Sequence, residues 1–216
     1  MPRFVRNDEL ILLIWSKYRL GFPMNRFLWF LFGLFCLNSS AQQTEYVDFE
    51  RISAKIQLKP SIKEVGLSVK YEFKILKDID SVYLDANNVH HYEIPNKNFN
   101  ALDYFKDKKL ILKSSGGSFK AGNRYEFEVI WFGYPSRALY FINWENDGKK
   151  QVWTQGQGKY TSNWLPSIDD MNDKIEFDLE ITFDKDYHVI ANGELINVEE
   201  NDSTKTWQFN MNKPMS

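Results

Sequence analysis

Residues 50–75 read ERISAKIQLKPSIKEVGLSVKYEFKI, and their spacing decides the fold. Ile52, Ala54, Ile56 and Leu58 alternate with Arg51, Ser53, Lys55 and Gln57. A period of two puts apolar side chains on one face of a strand and polar ones on the other. Pro60 to Glu64 supplies a turn, after which Val65, Leu67, Val69, Tyr71, Phe73 and Ile75 alternate with polar neighbours as a second, longer strand. The two form a hairpin with one face toward a core and one toward water.

The same signature recurs outward from this hairpin. Ser81–Leu84, Lys109–Leu112 and Tyr125–Trp131 read as strands, and Leu139–Trp144 turns at Asn146-Asp147-Gly148 into Gln151–Thr154. Ile175, Phe177, Leu179, Ile181 and Phe183 alternate again, Tyr187–Ala191 reads as a strand leading to an Asn192-Gly193 turn, and Thr206–Met211 closes the series. No stretch sustains the 3.6-residue period of a helix. Aromatic residues make up 16% of the chain, and flat rings favour the half-buried surface of a pleated sheet. The expected fold is therefore all-β, a sandwich or barrel of antiparallel sheets. With no repeat and no Pro-rich linker, it is one domain over residues 42–216.

The front of the chain is set apart from that domain. From Met24 the order is Met-Asn-Arg, an apolar block Phe27–Leu37, then Asn38-Ser39-Ser40-Ala41, which is the layout of a signal peptide over 24–41 with its small-residue cleavage site. The block has eleven residues, short of the roughly 20 that cross a membrane as a helix. Contact with a membrane is thus expected only through the export signal, and the destination is periplasmic, cell-surface or extracellular. Residues 1–23 then precede the true start, as a start-site artefact or a disordered extension. The single cysteine, Cys36, leaves with the signal, and Phe35 before it speaks against lipidation there.

Residues 1–41 carry five basic and two acidic side chains, so the remainder has 22 basic and 27 acidic ones and a net charge of −5. That balance, without a lysine or arginine run, makes no field for phosphate backbones and excludes nucleic acid as a partner class. Catalytic machinery is equally absent from the text. His90 and His91 are adjacent in a strand-like stretch and point to opposite faces, His188 stands alone, and no H-E-x-x-H, C-x-x-C or G-x-S-x-G occurs.

One stretch is richer than a loop requires: WTQGQGKYTSNWLPSIDD, Trp153–Asp170. Read by itself, Gln155-Gly156-Gln157-Gly158 is a polar loop between two core tryptophans. Thr154-Gln155-Gly156-Gln157, then Trp164-Leu165-Pro166-Ser167-Ile168-Asp169 and Lys174, resembles the hallmark of the N-terminal domain of zinc-dependent aminopeptidases of the aminopeptidase N family, which are gluzincin metallopeptidases. That hallmark runs Thr-Gln-x-Glu/Gln, a short gap, then aromatic-Pro-Cys-x-Asp-x-Pro-x-x-Lys. The similarity continues through Ile181, Tyr187, Asn192-Gly193 and Phe209 to Lys213-Pro214-Met215-Ser216. Leu165 replaces the aromatic, Ser167 the cysteine and Met171 the second proline, which marks a divergent branch.

The resemblance implies a saddle-shaped antiparallel β-sandwich whose last strand is incomplete at Ser216. It implies that Gln157 binds the free α-amino group at the N-terminus of a peptide substrate and that Gln155 lines the first substrate pocket. It also implies zinc in a catalytic domain beyond this text, so the chain itself is expected to hold no zinc and hydrolyse nothing. Asp169 is expected to fix the turn after Pro166 and Lys174 to pair with an acidic neighbour. The alternative function is a free-standing secreted β-sandwich that binds a glycan or protein ligand through Trp131, Trp144, Trp153 and Trp164, with sugar rings stacking on the indoles in the glycan case.

Overall fold

The computed structural model describes residues 42–88 and 90–215. The expected signal peptide at 24–41, the residues before it and Cys36 lie outside the described residues.

The opening hairpin is β1 (Val47–Lys59) and β2 (Glu64–Ile75), joined by a 3-10 turn at Pro60–Ile62 and by Lys63 in the left-handed region, φ 55°. Its register sets Ile52 opposite Tyr71, Ala54 opposite Val69, Ile56 opposite Leu67 and Leu58 opposite Val65. Like faces like across the pair. All six alternating apolar residues of β2 are buried, five of them completely. Each such side chain contributes about 1.5–3 kcal/mol over an exposed one, so this row alone anchors the hairpin face.

The remaining strands are β3 (Ser81–Asp85), β4 (His91–Lys97), β5 (Ala101–Lys106), β6 (Lys109–Ser114), β7 (Arg124–Gly133), β8 (Leu139–Ile142), β9 (Gln151–Thr154), β10 (Ile175–Asp184), β11 (Glu194–Glu200) and β12 (Thr204–Met215). They make a seven-stranded sheet in the order β11-β12-β10-β1-β2-β7-β4, a three-stranded sheet β3-β6-β5 and the two-stranded hairpin β8-β9. The antiparallel expectation holds at every pairing between these strands but one. β1 and β10 run parallel, from Arg51 opposite Glu176 to Gln57 opposite Thr182.

The inward rows of β1, β2 and β7 meet Val82 and Leu84 of β3 and Leu110 and Leu112 of β6 in one apolar cluster, giving two layers around a common core. Rings fill its middle: Phe49 stacks on Phe73 at 5.3 Å, and Phe99 meets Phe119 edge-on at 5.2 Å. The outer face of the large sheet is polar. Arg51 donates to Asp178 at 2.9 Å and to Glu176 at 2.6 Å, Asn210 donates to Asp178 at 2.6 Å, and Lys70 pairs with Glu126 at 2.7 Å.

Three local expectations are corrected. The sequence pattern marks no strand at β5 and, at β4, only the strand-like His90-His91 step; Tyr187–Ala191 is unpaired, the strand in that region being β11 after Gly193; and β8 ends at Ile142, before Trp144. β4 carries Pro95 and a register break between Glu93 and Asn96, which hide its period, whereas β11 is polar or exposed at every position.

Candidate functional site

The Trp153–Asp170 stretch begins where β9 ends. The β8-β9 pairing finishes with Leu139 opposite Thr154, and Gln155 N then donates to Ala138 O at 2.8 Å, so the hairpin fixes the backbone of the first glutamine. Gln155 and Gln157 therefore stand in the loop after the strand. The loop brings them together: Gln155 Nε2 lies 3.4 Å from Gln157 Oε1, a long contact, and both are exposed. Glycine is needed between and after them. A Cβ on Gly156 would run into the Thr161 hydroxyl, and Gly158 has φ +82°. Tyr160 N closes the reversal onto Gly156 O at 3.1 Å.

The second half of the stretch is fastened to the body of the domain. Ser167 exchanges backbone bonds with Asp85 at the end of β3, at 2.7 and 3.0 Å. The hydroxyl of Tyr71, fully buried in β2, donates to Pro166 O at 2.5 Å. Asp169 accepts from Ser162 N at 3.3 Å and Ser167 Oγ at 3.2 Å, while its own N–H donates to Asp85 Oδ2 at 3.3 Å. These bonds make Asp169 a fastener of the loop, and Lys174 is exposed beyond it. Burial raises the Asp85 carboxyl above its usual range, against the pull of the Asp169 N–H and the Lys109 charge.

The three departures from the aminopeptidase hallmark have visible places. Leu165 is 9% exposed and joins the core, Ser167 uses its hydroxyl on Asp169, and Met171 projects into solvent at 76%.

Behind the loop lies an open polar cleft of about 370 Å³ bordered by Gln43, Tyr83, Asp85, Lys109, Asp169 and Asp170. Neither Gln155 nor Gln157 borders it. The feature the sequence did not reveal is Asp173, four residues after the hallmark aspartate Asp169. The residue is 6% exposed, with Oδ2 unpartnered among the described residues. Burial, with the charges of Asp48 and Asp170, pushes its pKa to about 6 although a Phe49 N–H donates to it.

The tryptophans do not form the stacking platform of a glycan binder. Trp131 is fully buried, Trp164 is partly buried against the core, and Trp144 packs on Phe183 and Tyr187 at 6.0 and 5.6 Å. Trp153 keeps 45% exposure but lies flat on Tyr140 at 4.6 Å. Among the described residues no three His, Cys, Asp or Glu side chains come together as ligands. His91 sits beside Glu93 at 3.1 Å and His90 against Tyr134 at 5.0 Å. What the stretch offers is a rigidly based, exposed pair of carboxamides.

The model of the peptidase M1 N-terminal domain matches residues 45–216. The chain belongs to that family. As an M1 N-terminal domain it is similar in fold to an M1 zinc metallopeptidase from Deinococcus radiodurans, with a TM-score of 0.66 at 14% identity over 79% of this chain and 40% of that one. A mutant of that enzyme bound to a Tyr-Ser-Ala substrate gives 0.65 at 14% over 78% and 40%. A mutant of a two-domain M1 zinc metallopeptidase bound to L-tryptophan gives 0.64 at 14% over the same shares. No curated protein matches the sequence. The M1 N-terminal domain seen here thus spans 40% of the solved chains it resembles.

Proposed function

We propose that this M1 N-terminal domain forms one wall of the substrate cleft in an exported zinc metallo-aminopeptidase, an enzyme that removes N-terminal residues from peptides. Gln157 takes the substrate's α-ammonium group and Gln155 lines the pocket for the first side chain. The observation that carries this reading is the Gln155–Gln157 pair, exposed and 3.4 Å apart on a loop whose two ends are tied to Ala138 and to Asp85. A free amine is recognised by oxygen acceptors, and a carboxamide oxygen is one that adds no charge. Zinc is expected in a catalytic domain, where it would supply the activated water.

The test is Gln157→Ala in the whole enzyme. A hydrogen bond to a charged group is worth about 1.5–3 kcal/mol, so kcat/KM for a free-amine peptide should fall roughly ten- to a hundred-fold. An N-acetylated peptide, a poor substrate already, should be unaffected. Equal loss on both substrates would assign Gln157 to the fold and remove the proposed role.

A further inference from the structure

Two glutamines open the described chain, and the fold uses them in opposite ways. Gln43 is 6% exposed, and both ends of its carboxamide are spent on the free edge of β3: Nε2 donates to Tyr83 O at 2.9 Å, and Oε1 accepts from Tyr83 N at 2.7 Å. It works as a surrogate strand residue. Gln42 is exposed, and among the described residues its side chain reaches only Asn172 Nδ2 at 3.4 Å, long for a hydrogen bond. Its carbonyl accepts the Glu45 N–H at 3.0 Å, so its backbone starts the short 3-10 turn Gln43–Glu45. The first side chain that the fold grips is thus Gln43, two residues after Ala41, where the small-residue pattern sets the cleavage site.

We propose that Gln42 is the N-terminal residue of the exported protein and that it is closed to pyroglutamate. In the closure the neutral α-amine attacks Cδ of its own side chain, a lactam C–N bond forms, the Cδ–Nε2 bond breaks, and ammonia leaves with the proton that the amine gives up. The step needs no oxidant, reductant or second substrate. An α-amine with a pKa of about 8 is neutral often enough near pH 7 for this attack. Gln42 is free to bend into the five-membered ring at the cost of one long contact. Gln43 in the same position would have to surrender both bonds to β3, so the fold selects which glutamine closes. The lactam has no cationic amine, and the finished terminus is therefore shut to aminopeptidases. That last consequence for self-digestion rests on the proposed function; the cyclisation does not.

The experiment is to express the full precursor in a bacterium that exports it and to weigh the intact protein before any digestion, with stepwise N-terminal sequencing alongside. The expected mass is that of the chain from Gln42 less one ammonia. Sequencing should stay silent until a pyroglutamyl peptidase is added, and should then read Gln43-Thr44-Glu45. The Gln42→Ala protein should read openly from residue 42. A terminus at any other residue, an intact mass with Gln42 open, or a Gln42→Ala protein that is still blocked overturns the proposal.

Discussion

Three aspartates crowd the loop after Pro166, and the fold treats each differently. Asp169 is held by Ser162 N and Ser167 Oγ, Asp170 accepts from Asn172 N at 2.9 Å, and Asp173 is buried with one oxygen unpartnered among the described residues. A carboxyl raised from 3.8 to about 6 in the folded state costs stability wherever the unfolded chain would ionise it freely. The folded protein holds the extra proton between about pH 4 and 6, so this residue's penalty grows as pH rises through that window and is complete above it. The gap converts to about 3 kcal/mol at full ionisation. Asp173→Asn should therefore stabilise the protein at pH 7–8 by up to that amount, with the gain vanishing toward pH 4. Urea titrations of both proteins across that range check it, and a pH-independent difference would remove ionisation as the cause. Comparing the two proteins matters because Asp178 acts in the opposite sense: burial opposes its charge, but Arg51, Asn210 and Ser53 outweigh burial and hold its carboxyl low, so its contribution is lost on acidification. Nothing in the sequence separates Asp173 from its neighbours, because its surroundings, Asp48 and Phe49 of β1 among them, are set by the fold. Gln155 and Gln157 were legible as a pair, but their geometry was not. The strand ends at Thr154, and it is the turns at Gly156 and Gly158 that make the two side chains meet.

At the scale of elements, legibility follows burial. β2 buries every second residue, and its reading is correct to within a residue at each end. β5 buries only Ala101 of six and β11 none of seven, so the alternation that marks a strand has nothing to act on. Tyr187–Ala191 has strand-forming residues but no partner strand. The parallel pairing of β1 with β10 is beyond reach from the text, since it joins Ile52 to Phe177 across most of the domain and no turn sets its register. β11 depends on a local device that the sequence does show, the Asn192-Gly193 step. Gly193 has φ +99°, and a Cβ there would strike Asn210 O on β12, opposite Glu194. Gly193→Ala should cost about 1–3 kcal/mol by strain in a left-handed position. The loss should be concentrated in β11, with faster amide exchange there than in β1, β2 or β7. Uniform acceleration across the sheet would instead mean that β11 is part of one cooperative unit with the core.

At the scale of the whole molecule, the seven-stranded sheet is unevenly clothed. The three-stranded sheet shares the core of its β1-β2-β7 half, while the apolar rows run on across β10, β12 and β11 as Leu179–Phe209–Leu195 and Ile181–Trp207–Val198. Trp207 and Phe209 in the middle are 4% and 5% exposed, but the outer flank opens, with Leu195 at 48% and Val198 at 43%. β11 is also the end of the sheet, where backbone groups lack a neighbouring strand. Glu194, Glu199 and Glu200 along that edge and the net charge of −5 for residues 42–216 oppose pairing between copies, whereas the apolar flank favours it. Contiguous apolar surface of this kind marks an interaction site or a tendency to associate. The balance depends on salt, which screens the carboxylates and leaves the apolar term in place. The domain from Gln42 to Ser216 should therefore be mostly monomeric at low ionic strength and associate as salt is raised, with binding of an apolar dye in its monomeric form. Leu195→Lys with Val198→Lys should abolish dye binding and association while shifting Tm by only a few degrees, because both side chains are already nearly half exposed. Sedimentation velocity across a salt series decides it. Association that weakens with salt would show that charge pairs, not the flank of β11, bring the copies together.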